Sequence, residues 1–273
     1  MGIFWDSSQI FRPEDLRAQE TRIVLFRLKK ALPDFIFHDG YLEGNPISWP
    51  EVKTLMDGVS VGGHKISDVE QILNLNRAWG TLVSFVQGNR FALTKEIFLK
   101  INACVAFDEA LEWGVFRTGQ VGIAGTEYKP PASEKLQANF ERGLSFIETI
   151  GNPIERAMVF SLWTAREQFF WDGNKRTGRI MMAGELMRNG YDALSIPNAR
   201  REEYNRKMID FYDSADATEM MVFYQSLFPS DIRLKPVDGE EDEPGSGLSC
   251  GKWLRQEIAE KEKEKGKEKG HEL

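Results

Sequence analysis

The run Asp172-Gly173-Asn174-Lys175-Arg176, followed by Arg179, concentrates the residue types that grip an anion. A short polar loop containing glycine that opens onto a helix presents backbone N–H groups with partial positive charge, and such a terminus cradles phosphate or carboxylate. The pattern predicts a helix starting near Thr177, with Arg176 and Arg179 on one face flanking the loop. Asp172 is the only carboxylate of the loop and suits a hard cation such as Mg2+ held against phosphates. Taken alone, these five residues are more often a helix–helix turn with solvated charges.

Two helices must hold that loop. Ile154, Met158, Leu162, Ala165 and Phe169 form one helical stripe before it, and Ile180, Ala183, Leu186 and Met187 form another after it, with Gly190 as terminator. Upstream, Leu16, Ile23, Leu25, Phe26 and Leu28 predict a helix over about 14–31 that Pro33 stops. Ser48-Trp49-Pro50-Glu51 reads as a capping box opening a short helix through Met56. Val69, Ile72, Leu75, Trp79, Leu82 and Val86 predict a long amphipathic helix after Ser67, and 93–111 predicts another. A final helical pair covers about 204–212 and 217–228. The stretch 114–131, rich in glycine, threonine and β-branched residues, lacks helical period and favours a short β-hairpin or an extended flap. The fold class expected is all-α, a helical bundle carrying that flap.

The chain has 273 residues, 41% hydrophobic and 28% charged, enough for one substantial core or two small ones. A formal net charge of -7 argues against a nucleic-acid-binding surface spread over the molecule. Cys104 and Cys250 form neither a CxxC pair nor a disulfide framework, which points to a reducing cytosol, and no export signal or bilayer-spanning apolar run is visible. From about Lys235 an acidic Gly-containing linker leads into alternating Glu and Lys, a tail expected to be flexible or a solvated helix. The domain reading is therefore an N-terminal helical region over 1–92, a core over 93–230 and a charged tail over 231–273.

Residues 168–179 resemble the signature of the Fic family, H-x-F-x-[D/E]-G-N-[G/K]-R-x-x-R, at every defined position except the first, where Gln168 replaces the histidine. The stretch Phe116-Arg117-Thr118-Gly119 with Gly125-Thr126, Tyr128 and Pro130-Pro131 resembles the family's target-docking flap, and Leu42-Glu43-Gly44-Asn45 resembles its inhibitory motif. The three resemblances occur in family order over about residues 35–228.

The resemblance implies a helical Fic fold of the self-inhibited branch, using ATP and Mg2+ to transfer AMP to a Ser, Thr or Tyr hydroxyl of a target protein. By matching positions, Asp172 would ligate Mg2+; Gly173, Asn174, Lys175 and Arg176 would hold the phosphates; and Arg179 would reach the terminal one. Glu43 would pair with Arg179 and block the productive pose. The segment Thr118, Gly119, Gln120, Val121, Gly122 and Ile123 would dock the target. Two departures stand out. An amide at Gln168 cannot serve as general base, a function typically worth roughly 100- to 10,000-fold, and Glu167 points about 100° away on the same helix. Asp39 stands where the inhibitory motif has Ser or Thr. Lys175, with Asn174, Arg176 and Thr177, resembles instead the Doc-type branch, which transfers phosphate. An attenuated adenylyltransferase, a Doc-like kinase and a non-catalytic nucleotide- or peptide-binding module therefore all stand, with a cytoplasmic location, no nucleic acid or membrane partner, and homo-oligomerisation left open.

Overall fold

Pro33 lies inside the first helix, not at its end. In the computed structural model, which describes residues 1–234, helix α1 runs Thr21–Leu42. An internal proline removes one helical hydrogen bond and costs about 3 kcal/mol. Val24, Leu25, Leu28 and Ala31 before it, and Phe35, Ile36 and Leu42 after it, are all buried, and each large apolar side chain contributes roughly 1.5–3 kcal/mol on burial. Packing across the proline therefore outweighs the lost bond, and the helix carries Asp39 to its last turn. The start also moves, from the expected 14 to Thr21, because Pro13–Asp15 closes into a single 3-10 turn.

Helix α2 (Trp49–Met56) begins at the predicted capping box, the Glu51 carboxylate accepting from both the backbone N–H and the hydroxyl of Ser48. Helix α3 (Ile66–Gln87) follows, then α4 (Lys95–Val105), which is capped by Thr94 and ends well short of the expected 111. Asp108 adopts a left-handed backbone there, which no continuing helix tolerates. The sequence reading leaves α5 (Leu136–Glu148) unassigned, although Leu136, Phe140, Gly143 and Ile147 bury one face. Helices α6 (Pro153–Glu167), α7 (Asn174–Arg188), α8 (Arg201–Ser214) and α9 (Thr218–Ser226) complete the fold.

Helix α7 is the centre of the bundle. It pairs with α6 and also packs on α1, α3 and α4, so it is buried on nearly every side. Gly178 lets it approach α6, since a Cβ there would stand 3.0 Å from the Ser161 carbonyl. Phe98, Phe116, Phe140, Phe160, Trp163, Phe169 and Phe170 form one aromatic cluster beneath the connection between α6 and α7. Two of these rings belong to the loop itself and hold it to the core.

The fold is all-α among the described residues, with only two isolated bridges, Phe4 with Asp216 and Leu16 with Arg233. The expected hairpin at 114–131 is a correction: the segment is extended, but no β ladder forms in it. Pro130 and Pro131 lack N–H donors. The guanidinium of Arg117 bridges the two limbs instead, Nη1 donating to the Gly119 carbonyl, Nη2 to that of Pro131 and Nε to that of Gln168. No helix among the described residues is long and apolar enough to cross a membrane. The expected tail from Lys235, with Cys250 and His271, lies outside the described residues.

Candidate active site

Helix α6 ends at Gln168, whose left-handed backbone (φ 52°) turns the chain into the loop. Gly173 makes the second turn at φ 75° and caps α7. A side chain at Gly173 would be strained by that φ and would also meet Val105 Cγ1 at 2.8 Å. Between them, Asn174 braces the loop: its Oδ1 accepts from the Phe170 N–H at 2.9 Å, and its Nδ2 donates to the Phe170 carbonyl at 2.9 Å and to Gln168 Oε1 at 3.0 Å. Asn102 on α4 ties the other side, donating to the Asp172 carbonyl at 3.1 Å and Thr177 Oγ1 at 3.3 Å.

Helix α7 starts at Asn174, three residues before the expected Thr177, because Gly173 supplies the cap backbone. The shift puts Lys175 and Arg176 in the first helical turn, where no side chain caps the N-terminus. A cleft of about 260 Å³ opens over this terminus. Glu43, Gln168, Asp172, Lys175 and Arg176 line it, and Val121 and Gly122 of the flap form its far wall.

Every cation of the site faces a carboxylate. Arg176, 3% exposed, donates to Glu109 at 2.7 Å and to Asp172 at 3.3 Å. Arg179, 4% exposed, donates through Nε to Asp39 at 2.8 Å and lies 3.6 Å from Glu43. Lys175 lies 3.5 Å from the other oxygen of Glu43. Burial works against the charge of Glu43, but Lys175, Arg179 and Arg176 together hold its carboxyl below the ordinary range. Burial likewise disfavours the arginine charges, and the surrounding carboxylates more than restore them, raising Arg176 and, further, Arg179.

Gln168 has both ends of its amide engaged, Nε2 donating to the Ala165 carbonyl at 2.6 Å and Oε1 accepting from Asn174. Glu167 points away from the cleft to Asn139 of α5, 2.9 Å distant, and burial raises its carboxyl above the ordinary value. His38 bonds Ser195 and His64 bonds Glu51, so neither reaches the loop. Asp172 is half exposed, and no cluster of three or more His, Cys, Asp or Glu side chains is placed to hold a metal among the described residues.

The flap residues are divided in their duties. Val121 and Gly122 face the cleft, while Gly119 lies so close to Trp171 that a Cβ would meet its ring at 2.5 Å. Gln120 donates to the Pro130 carbonyl at 2.9 Å, the Thr118 carbonyl accepts from Ser133, and Ile123 packs on the core. Glu109 and Asn102 carry no local signal, because their partners lie far along the chain, and in the sequence Asp39 stands only as a departure from a pattern. The acidic character of Asp39 on the apolar face of a helix was the one available signal.

Residues 92–186 match the family model described as Fic/DOC family. The chain is 30% identical over 193 residues to a protein of Drosophila erecta named "Protein adenylyltransferase Fic", and 28% identical over 190 residues to the protein of the same name from Aedes aegypti. Each match covers 68% of this chain and 38% of the relative, so the chain spans under two fifths of the length of these curated relatives. Among solved structures, a Fic domain containing signaling protein from Bacteroides thetaiotaomicron superposes with a TM-score of 0.60 at 22% identity, covering 67% of this chain and 72% of that one. A fragment of Fic-1 from C. elegans gives a TM-score of 0.60 at 21% identity, covering 67% and 57%.

Proposed function

Because residues 92–186 of this chain belong to the Fic/DOC family, we propose that its cleft binds a nucleoside triphosphate with Mg2+ as a self-inhibited adenylyltransferase site whose transfer step is strongly attenuated. One observation carries this reading: the uncapped start of α7, behind the left-handed Gly173, brings Lys175 and Arg176 to the cleft and keeps Arg179 directly behind Glu43. Uncapped N–H groups, a helix dipole and guanidinium groups together suit a polyphosphate.

The donor set also suits magnesium, which commonly takes one or two protein carboxylates and completes its shell with phosphate oxygens and water. Asp172, half exposed at the cleft, is such a carboxylate. Bound there, the cation would neutralise phosphate charge. Arg176 would orient the phosphates from beneath, its own direction set by Glu109. Val121 and Gly122 would present the target's hydroxyl-bearing segment across the cleft.

Proton removal is the missing step. Gln168 occupies the position beside the cleft, and its amide oxygen has negligible basicity near neutral pH. Glu167 and the described histidines face elsewhere. Positioning and charge stabilisation supply much of a phosphoryl-type transfer, so the chain keeps the binding half of the reaction and loses most of the chemical half.

The test compares wild type, Glu43→Gly and Glu43→Gly/Gln168→His, each with Mg2+ and ATP labelled at the α or the γ phosphate. The expected result is a melting-temperature rise with Mg-ATP that is larger in Glu43→Gly and lost with Arg176→Ala, and α-label transfer only in the double variant. Transfer of γ label would shift the reading to the Doc-like phosphotransfer that Lys175 resembles. A melting temperature unmoved by nucleotide in every variant would remove the site.

A further inference from the structure

The donors of Arg179 are unequally used. Its Nε donates to Asp39 Oδ1 at 2.8 Å and its Nη1 to the Tyr204 hydroxyl at 3.3 Å, whereas Nη2 is buried without any hydrogen-bond partner. The group facing Nη2 is Glu43 Oε1, at 3.6 Å, which is equally unpartnered.

The two carboxylates that meet Arg179 are held differently. Asp39 is buried, and its second oxygen accepts from Trp79 Nε1 at 3.2 Å. Trp79 is itself fixed in the core against Phe35, edge to face at 5.2 Å. Asp39 is thus gripped from α3 while it grips Arg179 on α7. Glu43, the C-cap of α1, lines the cleft and is tethered only by the two long ion pairs to Lys175 and Arg179. Moving Asp39 would leave a buried indole N–H and a buried guanidinium edge unsatisfied, a large penalty. Moving Glu43 gives up only its long contacts with Lys175 and Arg179.

We propose, on the reading of the cleft as a triphosphate site, that Asp39 is a positioning residue for Arg179. It holds the guanidinium by its Nε edge so that Nη2 alone points toward the cleft, and Glu43 is the displaceable group in front of that nitrogen. When Glu43 swings out, a terminal phosphate oxygen meets a donor already oriented and already unpartnered. A guanidinium offers five N–H groups in a fixed fork, so fixing one edge fixes the direction of the rest. The opposite role for Asp39, a second lock competing with phosphate for Arg179, predicts the opposite sign on affinity.

Calorimetric titration of Mg-ATP and Mg-ADP into the full chain carrying Glu43→Gly, alone and with Asp39→Asn or Asp39→Ala, distinguishes them. Positioning predicts ATP affinity about tenfold weaker with Asp39→Ala and ADP affinity unchanged. Asp39→Asn, whose amide oxygen still accepts from Nε, should retain most of the ATP affinity. If Asp39→Ala does not fold, Asp39→Ser, too short to reach Nε, carries the same expected signs. ATP binding that tightens on removal of Asp39, or ATP and ADP affinities that fall together, overturns the proposal. The NMR signal of the Arg179 Nε–H group, recorded without nucleotide in the same proteins, separates this inference from the reading beneath it. An Nε–H protected from exchange only when residue 39 can accept, in proteins that bind no nucleotide, sinks the triphosphate site and leaves the positioning intact. An Nε–H equally protected in Asp39→Ala overturns the positioning whatever the nucleotide does.

Discussion

The loop at 168–179 and the flap at 114–131 face each other across one cleft and are built by opposite means. The loop is core: Phe169 and Phe170 are wholly buried beneath it, Asn174 bonds three of its atoms, and its two left-handed residues are locked between α4, α6 and α7. The flap has no ladder and little of its own core, and the guanidinium of Arg117 holds its limbs together from below. On the proposed function, the difference matches what each would have to do. Groups that must point at a fixed constellation of phosphate oxygens gain from rigidity, while a surface that must accept an extended segment of another protein gains from carbonyls and N–H groups not already committed to a sheet.

The contrast is sharpest at two glycines. Gly173→Ala imposes a left-handed φ on an L residue and drives Cβ to 2.8 Å from Val105. It should cost about 2–3 kcal/mol and abolish the nucleotide-induced melting shift at the same time. Gly122→Ala, where nothing lies within 4 Å of the added carbon, should change stability by less than about 0.5 kcal/mol. Thermal denaturation of the two variants checks both; equal losses would mean that the flap is as tightly built as the loop.

A smaller effect is expected at the tether. Arg117→Ala removes donors to three carbonyls and should cost about 1–3 kcal/mol, but its main consequence should be local. Limited proteolysis should cut within 119–130 well before any other described segment, with the helical circular dichroism retained. Resistance of the flap in this variant would show that its packing, not Arg117, holds it.

The smallest expected effect is a pH dependence confined to the cleft's edge. The folded-state value of Glu43 is lowered, with Lys175, Arg179 and Arg176 prevailing over burial. Its ion pairs therefore contribute stability that is complete above the ordinary glutamate value and lost as pH falls through the lower folded value. Glu43→Gln should flatten the stability profile over that acidic window by about 1 kcal/mol or less, its difference from wild type being full at neutral pH and vanishing in acid. A wild-type profile that is flat through the window would mean that Glu43 is not paired in solution.

How far the fold was legible depended on where each stabilising partner sat. Helices α2, α3, α6 and α7 were readable because their apolar stripes and caps repeat within a turn or two, and Gly190, left-handed at φ 83°, does close α7. The course of α1 was not, because local rules stop a helix at Pro33, while Phe35 and Ile36 beyond it are buried, Phe35 against Trp79 of α3. The flap was misread in its pairing for a related reason. Its β-branched and glycine residues suit strands, yet two prolines and one buried arginine dispose of its hydrogen bonds otherwise.

The amino-acid sequence by itself determined the identity of the loop, its glycine turn, its two arginines and the loss of a basic side chain at Gln168, since all of these are written within twelve consecutive residues. Only the tertiary structure decided which carboxylate each cation meets. Arg176 finds Glu109, 67 residues away, and Arg179 finds Asp39, 140 residues away. Spacing rules reach four residues along a helix, whereas these pairs exist because α1, α3 and α4 pack around α7 and bring Asp39, in the last turn of α1, and Glu109, in the segment after α4, to its first turns.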